Sequence, residues 1–156
     1  MSNRIDGFAM RHALPLDGSQ DTGVDPSALD AIDEAALVIS LQFQEPTIVT
    51  VFASPALRAV QTAEALLRNS ALETTQSEPE VWSELAEGAL DSYGDYDRSL
   101  KWMSTIFNMA KVAILNAGDR RPVMVLVTHD PVLRQMPHLK GRDIKTDHAQ
   151  PNHFLT

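Results

Sequence analysis

The sequence predicts a single α/β domain, and three observations carry that expectation. Short apolar or β-branched runs at residues 7–10, 47–52 and 123–127 have the length of strands and are bounded by turn chemistry. Between them lie two longer segments whose apolar residues recur at helical spacing. The chain has 156 residues, close to the commonest size of one domain and enough to bury a core without staples. Strands alternating with helices define the α/β class.

Gly7-Phe8-Ala9-Met10 is the first strand, and the loop after it runs through Pro15, Asp17, Gly18, Gly23 and Pro26. Asp25 or Ser27 stands where a helix N-cap is needed. The helix it would open covers residues 27–44, with Leu29, Ile32, Ala36, Ile39 and Phe43 on one stripe and Pro46 as its stop. Residues 47–52 are β-branched and unbroken, the pattern of a strand buried on both faces. Ser54 and Pro55 read as cap and first turn of a helix over residues 55–69, which partly buries Leu57, Val60, Ala63, Ala65 and Leu67. A polar stretch, residues 70–79, separates it from Val81-Trp82-Ser83-Glu84-Leu85, and Gly88, Asp91 and Gly94 mark a loop. Residues 95–116 form the longest helix, with Leu100, Met103, Phe107, Ala110 and Ile114 as the expected inward stripe and Gly118 as C-cap. The run at residues 123–127 is the strongest strand, and residues 131–136 make a short helix. The tail carries His138, His148 and His153 among polar residues and reads as solvated, ending in a short edge strand at residues 154–156. Trp82 and Trp102 are expected to pack in the core or at a pocket rim.

The composition limits the partners. Thirteen basic against 21 acidic residues leave a net charge of -8, which argues against duplex nucleic acid or an anionic membrane, since both need a basic face. A small anion remains compatible, because a pocket can be locally positive on an acidic protein. No cysteine is present, so disulfides, thiolate metal sites and thiol nucleophiles are excluded. The three tail histidines match no compact ligand spacing, and no metal is expected. A targeting pattern and a membrane-length apolar run are both missing, so a cytoplasmic protein is expected.

Ligands of open α/β sheets bind outside the carboxyl ends of the strands. Arg11-His12 follows the first strand, Ser54 to Arg58 the second, and Thr128-His129 the strongest. Two imidazoles and two guanidiniums at strand ends are suited to holding a phosphoryl group while a histidine attacks it. Arginine supplies forked, permanently charged donors to the oxygens. A neutral imidazole is nucleophilic near neutral pH. Phosphoryl transfer asks mainly for positioning and charge stabilisation.

These residues resemble the signature of the histidine phosphatase superfamily, also called phosphoglycerate-mutase-like. Arg11-His12-Ala13 corresponds to its Arg-His pair, and Ser54-Pro55-Ala56-Leu57-Arg58-Ala59-Val60-Gln61-Thr62-Ala63 closely matches its Ser-(Ser/Pro)-x-x-Arg-Ala-x-Gln-Thr-Ala block. Thr128-His129 matches its second histidine, and Trp82-Ser83-Glu84-Leu85 with Gly88 fits its Leu-x-Glu-like acidic context. The resemblance spans residues 8–134. It implies a mostly parallel central sheet flanked by helices on both faces, and a site needing no cofactor. It further implies His12 as the nucleophile that becomes phosphohistidine, Arg11, Arg58 and His129 as phosphate ligands, His129 also as a catalytic group, and Glu84 as the acid for the leaving group. The implied substrate is a phosphorylated small molecule or a phosphoprotein, hydrolysed as a phosphomonoester or phosphohistidine.

Two departures stand out: Ala13 and Asp130 occupy places where glycine is usual. Asp130 puts a carboxylate near the anion pocket, which raises the alternative of a family member that binds phosphorylated ligands without turnover. A phosphoglycerate-type mutase is the other alternative. The chain lacks the insertions that build substrate lids in such mutases and is similar in length to the short phosphohistidine phosphatases.

Overall fold

The computed structural model describes residues 4–17 and 22–156; Gly18 of the predicted first loop lies outside them. The elements are β1 (Asp6–Arg11), α1 (Leu29–Ser40), β2 (Thr47–Ala53), α2 (Leu57–Arg68), β3 (Glu80–Val81), α3 (Asp95–Ala117), β4 (Arg121–Thr128), α4 (Asp130–Gln135) and β5 (Asn152–Leu155). One sheet runs β3-β2-β4-β1-β5. Its first four strands are parallel, and β5 adds antiparallel to β1.

Alternation along the strands divides the core into two layers. Phe8, Met10, Val49, Val51, Val123, Val125 and Val127 meet Ile32, Ala36 and Ile39 of α1 and Ala59, Ala63 and Leu66 of α2. Ala9, Phe52, Met124 and Leu126 point to the opposite layer, where Trp102, Ile106 and Met109 of α3 and Val132 and Leu133 of α4 cover them. The middle of β4 is therefore buried on both sides, which is why its sequence is an unbroken apolar run. The architecture is the expected one: a single mostly parallel sheet with helices on both faces.

Asp25 does cap, accepting from the Ser27 amide at 2.9 Å, but what it opens is a 3-10 turn, Pro26–Ala28, that leads into α1. α1 ends at Ser40, short of the expected residue 44, and Leu29 lies exposed. α3 keeps its predicted length and glycine cap, with Gly118 at φ 60°. Its inward stripe is not the predicted one. Trp102, Ile106, Met109 and Ala113 face the sheet, while Leu100, Met103, Phe107 and Ile114 are exposed, and only Ala110 belongs to both readings. The two stripes are offset by one residue, about 100° around the helix. The sheet takes the side with Trp102, the bulkiest apolar group of the helix.

The tail is folded onto the sheet, while His153 and many of its polar residues stay exposed as expected. β5 starts at Asn152, two residues before the predicted edge strand, and Gly7 of β1 sits opposite Phe154. His153 bonds Asp6 through Nε2 at 2.7 Å, and the His138 ring packs 5.6 Å from Phe154. Among the described residues no helix is long and apolar enough to cross a membrane.

Candidate active site

Parallel pairing brings the carboxyl ends of β1, β2 and β4 to one edge of the sheet. The ladders continue one residue past the strands: the His12 amide donates to the Thr128 carbonyl and the Ser54 amide to the Val127 carbonyl, each at 2.9 Å. These bonds fasten three loops together. The result is an edge-to-face pair of imidazoles, His12 and His129, with ring centroids 5.2 Å apart and both residues buried.

The His12 Nδ1 lies 2.9 Å from the Ala13 carbonyl. A carbonyl only accepts, so Nδ1 carries the hydrogen and Nε2 keeps its lone pair. Burial pushes the His12 pKa down to about 4, with His129 and the Arg58 and Arg11 guanidiniums adding to the effect against the Ala13 carbonyl. At neutral pH the ring is uncharged, the state a nucleophile needs. His129 is also held below its ordinary pKa, by burial first and then by Arg58 and Arg11, with Glu87 opposing. Its Nε2 shares a 2.8 Å hydrogen bond with Ser54 Oγ, and its buried Nδ1 has no hydrogen-bond partner among the described residues.

The block from Ser54 to Ala63 works differently from the predicted cap and first turn. α2 starts at Leu57 after Ala56, and the Ser54 hydroxyl is engaged with His129 while accepting weakly from the Ala56 amide at 3.3 Å. The deepest positions of α2 include two polar ones, Arg58 and Thr62, whereas Leu57 is exposed. Thr62 Oγ1 donates to the Arg58 carbonyl at 2.7 Å and accepts from the Ala13 amide at 3.0 Å, tying α2 to the backbone after His12. Gln61 Oε1 accepts from the Val24 amide at 2.8 Å and closes the first loop. A Cβ at Gly23 would sit 2.3 Å from that oxygen, so a larger residue there would push the Gln61 amide aside.

A cleft of about 290 Å³ opens on the His129 side of the imidazole pair, lined by Ser54, Arg58, His129, Ala86 and Glu87 among others; His12 stands beside His129 and does not line it. Glu84 does not line it. Glu84 lies in a 3-10 turn, Ser83–Leu85, pinned by Thr128 Oγ1 donating to the Leu85 carbonyl at 2.6 Å and by the Trp82 amide donating to the Ala53 carbonyl at 3.0 Å. Leu85 is fully buried by this anchoring, and the chain brings Glu87 to the cleft two residues later. The sequence held the signal: Leu85-Ala86-Glu87 is a closer Leu-x-Glu match than Trp82-Ser83-Glu84. Asp130 opens α4, and its Oδ1 accepts from Arg134 Nε at 2.7 Å, so its charge is partly taken up by a cation one turn on.

His148, read from sequence as part of a solvated tail, stands next to His12. Its ring centroid is 5.6 Å from that of His12. Residues 146–149 run beside Arg11, with Arg11 and His148 in a parallel bridge, the Ala149 amide donating to the Arg11 carbonyl at 3.0 Å and Arg11 Nη1 donating to the Thr146 carbonyl at 3.4 Å. The charges of Arg11 and Arg58 act on all three histidines, so the pocket is locally positive within an acidic chain.

Solved structures share this architecture over nearly the whole chain. The protein histidine phosphatase SixA complexed with tungstate is similar with a TM-score of 0.62 and 20% identity, covering 96% of this chain and 94% of that one. Phosphoglycerate mutase from Bacillus anthracis gives 0.65 at 12% identity, covering 99% and 89%. The chain has the phosphoglycerate-mutase-like fold of the histidine phosphatases. A chain described as a phosphohistidine phosphatase SixA, from Nakamurella multipartitia, has the same fold, with a TM-score of 0.58, 18% identity, and coverage of 98% and 85%. Neither a family model nor a curated protein sequence matches the chain. In the histidine phosphatase fold adopted here, the strand ends carry His12, His129, Arg11 and Ser54, and α2 carries Arg58.

Proposed function

We propose that the protein is a histidine phosphatase that hydrolyses a phosphomonoester or phosphohistidine substrate through a phosphohistidine on His12. The observation that carries this reading is the buried, neutral His12, its Nε2 unprotonated, with His129 beside it and the charges of Arg11 and Arg58 acting on both. The phosphoryl oxygens are bound by the two guanidiniums and by His129, whose ring is oriented by Ser54. His12 Nε2 attacks phosphorus in line. The N–P bond forms as the P–O or P–N bond to the leaving group breaks, and Glu87, at the cleft, gives that atom its proton. Water then attacks the phosphohistidine, yields its proton to Glu87 and releases inorganic phosphate with His12 neutral again. The partner is a phosphorylated small molecule or a phosphoprotein.

The test is His12→Ala, assayed on a generic aryl phosphate, with a brief quench of the wild-type protein on labelled substrate. Hydrolysis is expected to fall to background in the folded variant, and label to be trapped on His12. Full activity in the variant overturns the nucleophile assignment, and a wild-type protein that binds phosphate yet never carries label is a binder without turnover.

A further inference from the structure

We propose that His148 is a third imidazole of the phosphoryl site, donating an N–H to an oxygen of the phosphoryl group held over His12. This rests on the phosphatase reading above and adds a residue from the last segment of the chain. Three observations support it. The first is position. The His12 ring lies within 5.6 Å of two other imidazoles: His129, which lines the cleft with Arg58 and Glu87, and His148, which lines a neighbouring cleft of about 220 Å³ with Glu34 of α1 and Lys145.

The second is that the position is built. Ala149, buried and not glycine, has φ 58°, a left-handed conformation that costs an L-residue about 1–2 kcal/mol. Such a conformation persists only where neighbours enforce it. Here the Ala149 amide is held by the Arg11 carbonyl. Buried Asn152 clasps the segment, its Oδ1 accepting from the Lys145 amide at 2.7 Å and its Nδ2 donating to the carbonyls of Lys145 at 2.8 Å and Ala9 at 3.1 Å. The strain and the clasp together hold the His148 ring beside that of His12.

The third is charge. The groups acting on the ring are Arg11, Arg58 and Asp147, with Lys145 and Glu34 along the neighbouring cleft. Burial and then the two guanidiniums hold His148 below its ordinary pKa, against Asp147, so these groups by themselves favour a neutral ring. A phosphoryl dianion between those cations reverses the balance. It favours protonation of His148, and the bond to oxygen becomes charge-assisted. Three phosphoryl oxygens have lone pairs to spare after two guanidiniums and His129.

The test compares the wild-type protein, His148→Ala and His148→Gln for binding of inorganic phosphate by calorimetry and for hydrolysis of an aryl phosphate. The His148 ring C–H is also followed by NMR against pH, with and without saturating phosphate. Loss of one charge-assisted bond is expected to weaken phosphate binding and raise KM about tenfold in His148→Ala, with kcat changed much less. His148→Gln keeps a neutral N–H donor and is expected to recover part of that loss. In the wild type the His148 titration is expected to move upward by about one pH unit when phosphate binds, a response a ring remote from the phosphoryl group would not give. Unchanged phosphate affinity and KM in folded His148→Ala, or an NMR titration indifferent to phosphate, overturns the inference. The NMR titration needs no variant and decides the matter even where His148→Ala fails to fold. A wild type that neither binds phosphate nor hydrolyses the ester sinks the phosphatase reading itself; a wild type that does both, with His148→Ala indistinguishable from it, sinks this inference alone.

Discussion

The neutrality of His12 ties stability to reactivity, and it is testable without any substrate. Burial, His129, Arg58 and Arg11 hold the ring at a pKa of about 4, against 6.5 for an ordinary histidine. Unfolding restores the ordinary value. Between the two, the unfolded chain binds a proton that the folded chain refuses. The stabilisation is complete above pH 6.5 and is lost as the pH falls toward 4. Over the whole window it amounts to about 3 kcal/mol, and about 2 kcal/mol of it disappears between pH 7 and pH 5. His12→Asn removes the titrating group while keeping an amide donor for the Ala13 carbonyl. Urea unfolding of both proteins at pH 7 and pH 5, without phosphate, is the assay. The wild type is expected to lose about 2 kcal/mol more than the variant over this interval, roughly a 1 M difference in the shift of the midpoint. His129, His138, His148 and Asp6 titrate in both proteins, so their contributions largely cancel. Equal losses in the two proteins would refute the claim that desolvation and neighbouring cations keep His12 neutral.

Two other expectations concern the acid and the sheet. Glu87→Gln is expected to slow hydrolysis of an alkyl phosphate by about 10²–10³-fold, and that of an aryl phosphate, with its better leaving group, by less. Glu84→Gln in parallel is expected to leave both rates near wild type, and the opposite ranking would return the acid to Glu84. Gly7→Ala would place a Cβ 2.3 Å from Phe154 Cζ on β5, against a ring that is fully buried. It is expected to destabilise by about 1–3 kcal/mol, and an unchanged Tm would contradict the β1–β5 packing.

What could be read from the sequence follows from the range of the forces involved. The three central strands β1, β2 and β4 were legible because a β-branched or apolar run such as that of β4 leaves few local alternatives, whereas two-residue β3 carries no such run. Arg11, His12, Arg58 and His129 were legible because chemistry at strand ends, in this order, matches a known signature. The stripe of α3 was not, since two adjacent stripes share the same period and differ only in the face that meets the sheet. Leu57, expected to be partly buried on α2, lies exposed beside buried Arg58 for a related reason. Amphipathicity predicts apolar residues inward, and the site overrides it by drawing in a guanidinium. Glu84 and Glu87 lie three residues apart, one in the short 3-10 turn Ser83–Leu85 and one just past it, and the anchoring of Leu85 decides which one meets the cleft.

By itself the sequence determines the α/β class, the places of the principal strands and helices, and the groups we propose to hold and attack a phosphoryl group. Tertiary structure alone decides which helix face is buried, which carboxylate reaches the cleft, and that His148, far along the chain from His12, comes to stand beside it. Periodicity and capping act over a few residues and are written locally. Burial and the meeting of distant strand ends depend on how the β1 ladder pairs with β4 on one side and β5 on the other, which no local window contains.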